Sequence, residues 1–428
     1  MTPEIKSAVK GALQFVCAGS VALITSLAAS GAQAQSAYGC RALETHSALA
    51  AVEGKSGTFF AIRPELQSHH GLGDATIDHL SKLTEVLRSR GTTLVLMPVP
   101  TRAQVLSHLL PPMATHLGFD ADAATAVHLG MIARLQAAGV NVADARADLR
   151  RASLNGTPVY FGTDTRPTNT GVRLLAKSVG AVLEDHPDLS DTTRATFVSA
   201  PGKVIALTSD MRAQLQSGCQ SELPAVRVQT QTITRAGDVA TEPLVVVGTD
   251  ITSTDALNMT GFLSQSTGLD AVGYGVPGGG VFAAMSSYLT STAFQDTPPR
   301  VLVWEWPVSA PFADRGHQPM RELIAAASTA CSTVLPMVDA RADLTGLTIN
   351  ADTALAFDAD GAALSFVRFH FTDAAGLVRT RSIYRHADQS LTGRFYLSLS
   401  GLDTQSLASV QIEAPTALGA QPRLNACF

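Results

Sequence analysis

Three runs in this chain are apolar at nearly every position: TTLVLMPVP at 92–100, PLVVVG at 243–248 and PPRVLVWEWP at 298–307. A strand with one solvated face alternates apolar and polar side chains, so an unbroken apolar run is buried on both faces. Each face then needs a covering layer, and the segments between the runs supply it. TIDHLSKLTEVLRSRG at 76–91 places Ile77, Leu80, Leu83, Val86 and Leu87 on one helical face and ends at Gly91. TAVHLGMIARLQAAG at 125–139 repeats the helical period, and VNVADA at 140–145 reads as a short strand. NTGVRLLAKSVGAVLED at 169–185 is a third helix, capped by Asn169 or Thr170. A polar connection leads to PLVVVG, and GFLSQSTG at 261–268 starts a further helix. Alternating strand and helix predict an α/β fold with a mostly parallel sheet covered on both faces.

Past Cys331 the period changes. The segment from Leu347 to Tyr384 and GRFYLSLSGLD at 393–403 are short alternating runs broken by Asp and Gly turns. That is the pattern of strands and hairpins. The chain therefore divides into an α/β domain at 35–332 and a small all-β sandwich domain at 336–428.

Residues 1–34 belong to neither. Lys6 and Lys10 precede the apolar stretch GALQFVCAGSVALITSLAASG, and Ala32 and Ala34 fit the small-residue rule for signal-peptide cleavage after Ala34. An uncleaved anchor is the alternative, because the stretch is long. No later segment reaches the ~18 unbroken apolar residues of a membrane helix, so the mature chain reads as soluble and exported. Cys17 leaves with the signal peptide. Cys40, Cys219, Cys331 and Cys427 remain, an even number that reads as two disulfides in an oxidising compartment. Three pairings are open at this level. No two cysteines are close enough for a zinc-chelating loop, and GVPGGGVF at 275–282 lacks the glycine spacing of a dinucleotide or phosphate loop. Neither a metal nor a cofactor is expected. A net charge of −5 argues against whole-surface attraction to nucleic acid.

The run LVVVGTDITST at 244–254 raises the question of chemistry. Ligand crevices in such sheets lie beyond the carboxyl ends of the strands. A buried strand stopping at a Gly-x-x turn is where α/β hydrolytic folds mount a nucleophilic serine, and the residue here is Asp250.

Five stretches carry a resemblance in order along the chain: VEGKSGTFFAIRPEL (52–66), LMPVPTRAQV (96–105), FGTDTRPTNTGVRLLA (161–176), LVVVGTDITST followed by NMTGFL (258–263), and DTPPRVLVWEWP (296–307). Together they resemble the AlgX and AlgJ-like family of polysaccharide O-acetyltransferases. The resemblance implies a periplasmic protein of alginate-type exopolysaccharide biosynthesis. Its α/β domain would be SGNH-hydrolase-like (flavodoxin-like), followed by a carbohydrate-binding β-sandwich. The resemblance also implies the pairings Cys40–Cys219 and Cys331–Cys427. Its catalytic pattern has an Asp-x-His motif and a serine in a Gly-Thr-Ser turn. Here the first reads Asp164-Thr165-Arg166 and the serine position reads Asp250, so one triad residue of three survives.

In acetyl transfer the serine attacks the acetyl carbonyl, histidine takes its proton and aspartate orients the imidazole. Arginine stays charged and cannot take that proton. Loss of a nucleophile or its base costs roughly a million-fold in a protease triad. The replacements compensate each other in charge, so Arg166 is expected within hydrogen-bonding distance of Asp250, with Asp164 on the other side of the guanidinium. The expected function is polymer binding within exopolysaccharide biosynthesis and O-acetylation, without normal acetyl transfer. The rival is an active O-acetyltransferase with another nucleophile: Thr249, Thr252 or Ser253, with His69 or His70 as a distant base. A third reading makes Asp164 and Asp250 a sugar-cleaving carboxylate pair, which the arginine opposes by holding both ionised.

In SFVRFHFT (365–372) the two-residue period sets Val367, Phe369 and Phe371 against Arg368 and His370. In LVRTRSIYR (377–385) Arg379, Arg381 and Arg385 share a face, and in GRFYLSLS (393–400) Arg394 and Tyr396 alternate with Phe395, Leu397 and Leu399. If the first two strands pair through DAAG, Arg368, His370, Arg379 and Arg381 gather on one outer face. With Tyr396, they form the candidate site for an acidic polysaccharide such as a polyuronate, because guanidinium forks match carboxylates at two points. The plain alternative is that these arginines only solvate the sheet. Other exopolysaccharide assembly or export proteins are the further partners expected.

Overall fold

The computed structural model describes residues 36–312, 317–328, 331–350, 353–402 and 406–427. The expected signal peptide and its cleavage after Ala34 lie outside the described residues. Residues 37–428 gather into one compact unit.

Its centre is a five-stranded sheet of β1 (Thr93–Val99), β2 (Asn141–Val142), β3 (Pro243–Gly248), β4 (Asp270–Gly275) and β5 (Val301–Pro307), in the spatial order β2-β1-β5-β3-β4. Every neighbouring pair is parallel. The three apolar runs are the three middle strands. Val95, Met97, Val246 and Val303 enter one core with the helices Asn169–Leu183 and Met259–Thr267. Leu96, Val245, Val247, Leu302 and Trp304 enter the other with the helices Asp74–Ser89, Ala121–Ala137 and Gln318–Ala327. Each such side chain contributes about 1.5–3 kcal/mol when fully buried, so the doubly covered strands set the architecture.

Two local expectations are corrected. Thr168, not Asn169 or Thr170, caps the helix Asn169–Leu183, its hydroxyl accepting from the Gly171 N–H. Asn169 instead donates its side-chain amide to Gln229 O at 2.9 Å. The connection before β3 contains a long antiparallel hairpin, Thr196–Leu207 with Val226–Ala236, and the helix Asp210–Gln216 between its strands. A disulfide joins Cys40 to Cys219 just after that helix, and a second joins Cys331 to Cys427.

The carboxyl-terminal strands are β6 (Thr333–Leu335), β7 (Met337–Val338), β8 (Arg341–Asp343), β9 (Ala354–Asp358), β10 (Phe366–Asp373), β11 (Val378–Tyr384), β12 (Arg394–Ser398), β13 (Leu407–Glu413) and β14 (Arg423–Cys427). They form two antiparallel sheets, β6-β14-β9-β12 and β7-β8-β13-β10-β11. Leu355, Phe357, Phe395 and Leu397 of the first pack against Val367, Phe369, Phe371 and Val410 of the second. The other face of the first sheet turns Ala354, Tyr396 and Cys427 into the α/β core. A buried ion pair crosses the same junction, Arg385 with Glu322 of the helix Gln318–Ala327.

Candidate functional site

Asp250 opens a single helical turn, Asp250–Ser253, directly after β3, at the carboxyl end of the sheet where the sequence placed it. Asp164 and Arg166 come from a loop drawn tight by the Tyr160–Pro167 bridge. The buried Arg102 fixes that loop from below. It donates to the carbonyls of Phe161, Gly162 and Asp164 (3.2, 3.4 and 2.9 Å) while its Nε donates to Glu65 at 2.7 Å. Glu65 and Arg102 lie within two of the stretches that carry the resemblance, but their joint role depends on a contact between residues 37 apart.

Arg166 lies flat against Asp164. Its Nε donates to Oδ1 at 2.9 Å, its Nη2 to Oδ2 at 2.7 Å, and its backbone N–H also to Oδ1 at 2.8 Å. Such a two-point carboxylate–guanidinium bond is short and directional. Nη2 also reaches Thr208 O at 2.6 Å, and Nη1 reaches the Thr254 hydroxyl at 3.2 Å. Asp164 is nearly buried, with 4% of its side chain exposed. Hydrogen bonding to Asp164 drives the Arg166 guanidinium above its usual pKa, against the opposing effect of burial.

Asp250 stands further off. Its Oδ2 is 4.0 Å from Arg166 Nε, an ion pair but longer than a hydrogen bond. The expected hydrogen bond between the two is therefore absent, because Asp164 holds the Nε that would have made it. Nor does the arginine hold the Asp250 carboxyl at its ordinary pKa. Burial raises its carboxyl pKa, the Arg166 charge lowers it and the Asp164 charge raises it, leaving it above the ordinary carboxylate value.

Beneath the turn lies a group that the sequence reading passed over. Glu305 of β5 is fully buried and accepts from the Thr249 N–H (2.7 Å), the Thr249 hydroxyl (3.0 Å) and the Thr252 hydroxyl (3.0 Å). Burial, only partly offset by these bonds, pushes its carboxyl up to about 7. A β-carbon at Gly248 would meet Glu305 Oε2 at 2.2 Å, so the glycine before the turn makes room for this acid. The signal was one charged residue between two tryptophans in a doubly buried strand.

The alternative nucleophiles are largely committed. Thr249 and Thr252 are buried and spend their hydroxyls on Glu305. Among the described residues no side-chain hydrogen bond joins Ser253, His69 or His70 to the site, and Ser253 is tied to the turn only by its backbone N–H, which donates to Thr249 O at 3.0 Å. Burial lowers the His70 imidazole pKa. GVPGGGVF forms a turn before the helix Ala283–Leu289, with Gly278 and Gly280 at φ 66 and 62°. No group of three or more His, Cys, Asp or Glu side chains among the described residues is arranged to hold a metal ion.

The sandwich separates the residues expected to gather on one face. Arg368 and His370 do share the outer face of β10, where both meet Glu413 of β13. Arg381 and Arg379 stand opposite Phe369 and Phe371 in the antiparallel register. Directly opposed residues point to the same side, so these two arginines lie on the other face of the sheet. Arg385 is buried against Glu322. Tyr396 belongs to the first sheet, β6-β14-β9-β12, and faces the α/β body.

Compared with known proteins, residues 52–308 match the family model described as SGNH hydrolase-like domain, acetyltransferase AlgX. The chain is 27% identical to the alginate biosynthesis protein AlgX of Pseudomonas putida over 268 residues, 60% of this chain and 55% of that protein. It is 28% identical to the probable alginate O-acetylase AlgJ of Pseudomonas aeruginosa over 243 residues, 52% of this chain and 60% of that protein. The matched part is thus little more than half the length of these curated relatives. Among solved structures, Pseudomonas aeruginosa AlgX matches with a TM-score of 0.73 at 22% identity, over 89% of this chain and 94% of that one. The O-acetyltransferase domain of Pseudomonas putida AlgJ matches with a TM-score of 0.50 at 21% identity, over 64% and 98%. These two likenesses are of fold.

Proposed function

Because the chain belongs to the AlgX family of SGNH hydrolase-like acetyltransferase domains, we propose that it acts in the biosynthesis and O-acetylation of an alginate-type exopolysaccharide as a periplasmic polymer-binding protein without normal acetyl transfer. Asp164, Arg166 and Asp250 occupy the family's triad positions in this reading. The observation that carries it is the two-point clasp of Arg166 on Asp164, with Asp250 at 4.0 Å. The aspartate that should orient an imidazole orients a guanidinium. A proton acceptor is therefore missing, and a carboxylate stands where a hydroxyl should attack. The sandwich supplies the polymer-binding surface, with Arg368 and His370 on its outer face. An acidic polysaccharide is the partner, and other assembly or export proteins are the candidates that hold it in place.

A chromogenic acetyl ester tests the catalytic half. The protein should hydrolyse it no faster than buffer, and the double replacement Arg166→His with Asp250→Ser should raise the rate well above that of either single change. Hydrolysis by the unaltered protein, abolished by Ser253→Ala, would establish the rival acetyltransferase reading instead.

A further inference from the structure

The face of the four-stranded sheet turned toward the α/β body carries two rows of side chains. In the first row Asp358 of β9 lies between Arg394 of β12 and Arg423 of β14. In the second, Ala356 lies between Tyr396 and Asn425. Arg90, just past the helix Asp74–Ser89, closes the space from the α/β side. The result is a cavity of about 360 Å³ lined by these residues and floored partly by Phe357 and Cys331. Cavities that take small ligands are commonly about 300–1,000 Å³.

Three guanidinium groups face one carboxylate there. Asp358 Oδ2 receives both Arg394 Nε and Arg423 Nη2, at 3.4 and 3.5 Å, so neither contact is tight. Among the described residues, the Arg394 guanidinium makes one further hydrogen bond, Nη1 to Thr290 O at 3.3 Å, and leaves Nη2 uncommitted. Among the described residues, Arg423 leaves Nε and Nη1 uncommitted, and 69% of its side chain is exposed. Arg90 is anchored by Gln295 O at 2.9 Å and by the ring of Phe294. Burial pulls its guanidinium below the usual value. The small Ala356 leaves the hollow open between Tyr396 and Asn425, two side chains whose polar ends suit sugar hydroxyls.

We propose that this junction cavity binds the carboxylate-bearing unit of an acidic saccharide, its carboxylate held by Arg394 and Arg423 and its hydroxyls by Tyr396 and Asn425. The inference rests on the polymer-binding reading above and adds a second, enclosed site to it. This ligand lies between the sheet and the α/β body, apart from the outer face with Arg368 and His370. Guanidinium forks bind carboxylates at two points, and Asp358 between them would repel an anion placed centrally, which sets the ligand's carboxylate toward the open side of Arg423.

The test is calorimetric titration of the full-length mature protein with trigalacturonate, maltotriose and inorganic phosphate. The account expects saturable binding of trigalacturonate, little of maltotriose, and weaker binding of phosphate. Arg423→Gln should weaken trigalacturonate about tenfold, the scale of one charged hydrogen bond. Ala356→Leu, which fills the hollow and keeps every charge, should weaken it at least as much. Unchanged binding in both variants would overturn the cavity, and loss in Arg368→Ala instead would return polymer binding to the outer face. Phosphate binding as tight as trigalacturonate would reduce the site to a general anion site and overturn the saccharide assignment. Absence of any saturable binding of trigalacturonate by the unaltered protein would overturn it as well, while the ester assay judges the silent crevice separately.

Discussion

The crevice beyond β3 and the outer face of the sandwich both carry arginines beside carboxylates, but the two differ in what fixes them. In the crevice, Arg166 and Asp164 are two residues apart in one braced loop, and their side chains are 13% and 4% exposed. On the sandwich, Arg368 and Glu413 belong to separate strands and are 37% and 45% exposed. Water screens the second pair, which the register of two neighbouring strands brings face to face. The first pair is a fixed part of the fold. The same residue types thus make an occupied site in one place and a solvated surface in the other.

The sharpest way to break this comparison is to remove one member of each pair. Arg166→Ala strands Asp164 as a nearly buried, unpaired charge, and removing one partner of a buried pair costs about 3–5 kcal/mol. Arg368→Ala should leave the urea midpoint where it was. Equal losses in the two variants would erase the distinction.

Glu305 extends the comparison to an acid with no cation. Its native pKa, pushed up to about 7 from an ordinary 4.5, means that the native state holds a proton the unfolded chain has released. Stability should therefore fall as pH rises from about 4.5 through 7, by about 3 kcal/mol over the whole window. Glu305→Gln should flatten that slope, measured by urea unfolding at several pH values. A slope that survives the substitution would place the titrating group elsewhere.

The smallest expected effect is on the sandwich. Hydrogen bonds from His370 and Arg368 hold the Glu413 carboxyl below its usual pKa. Glu413→Gln should free the Arg368 guanidinium and loosen the His370 ring without changing the fold. Elution from an immobilised polyuronate should move to higher salt, and unchanged elution would mean that this face does not meet the polymer.

The fold was legible where burial is two-sided. Runs such as LVVVG and VLVWEW can only be middle strands, and the helix at 76–91 shows its apolar stripe directly. The hairpin Thr196–Leu207 with Val226–Ala236 was missed because it is mostly exposed and rich in Thr, Gln and Arg, although VRVQTQTITRA does alternate. The crevice was legible at Asp164, Arg166 and Asp250 through the resemblance. What the residues alone did not give was distance: Asp164 takes the guanidinium's Nε, so Asp250 is left at ion-pair range. The sandwich face failed for a different reason. Periodicity gives the two faces of one strand, but only the register says which faces of neighbouring strands coincide, and the register set Arg381 against Phe369.

The central claim is that the Arg166–Asp164 clasp leaves no group in the crevice able to accept an acetyl unit. Intact-mass spectrometry of the purified protein after incubation with an activated acetyl ester tests it most directly. The account predicts an unmodified mass, together with an acetyl adduct in the Arg166→His, Asp250→Ser double variant. A stoichiometric acetyl group on the unaltered protein, mapped to a residue between Thr249 and Thr254, would contradict it.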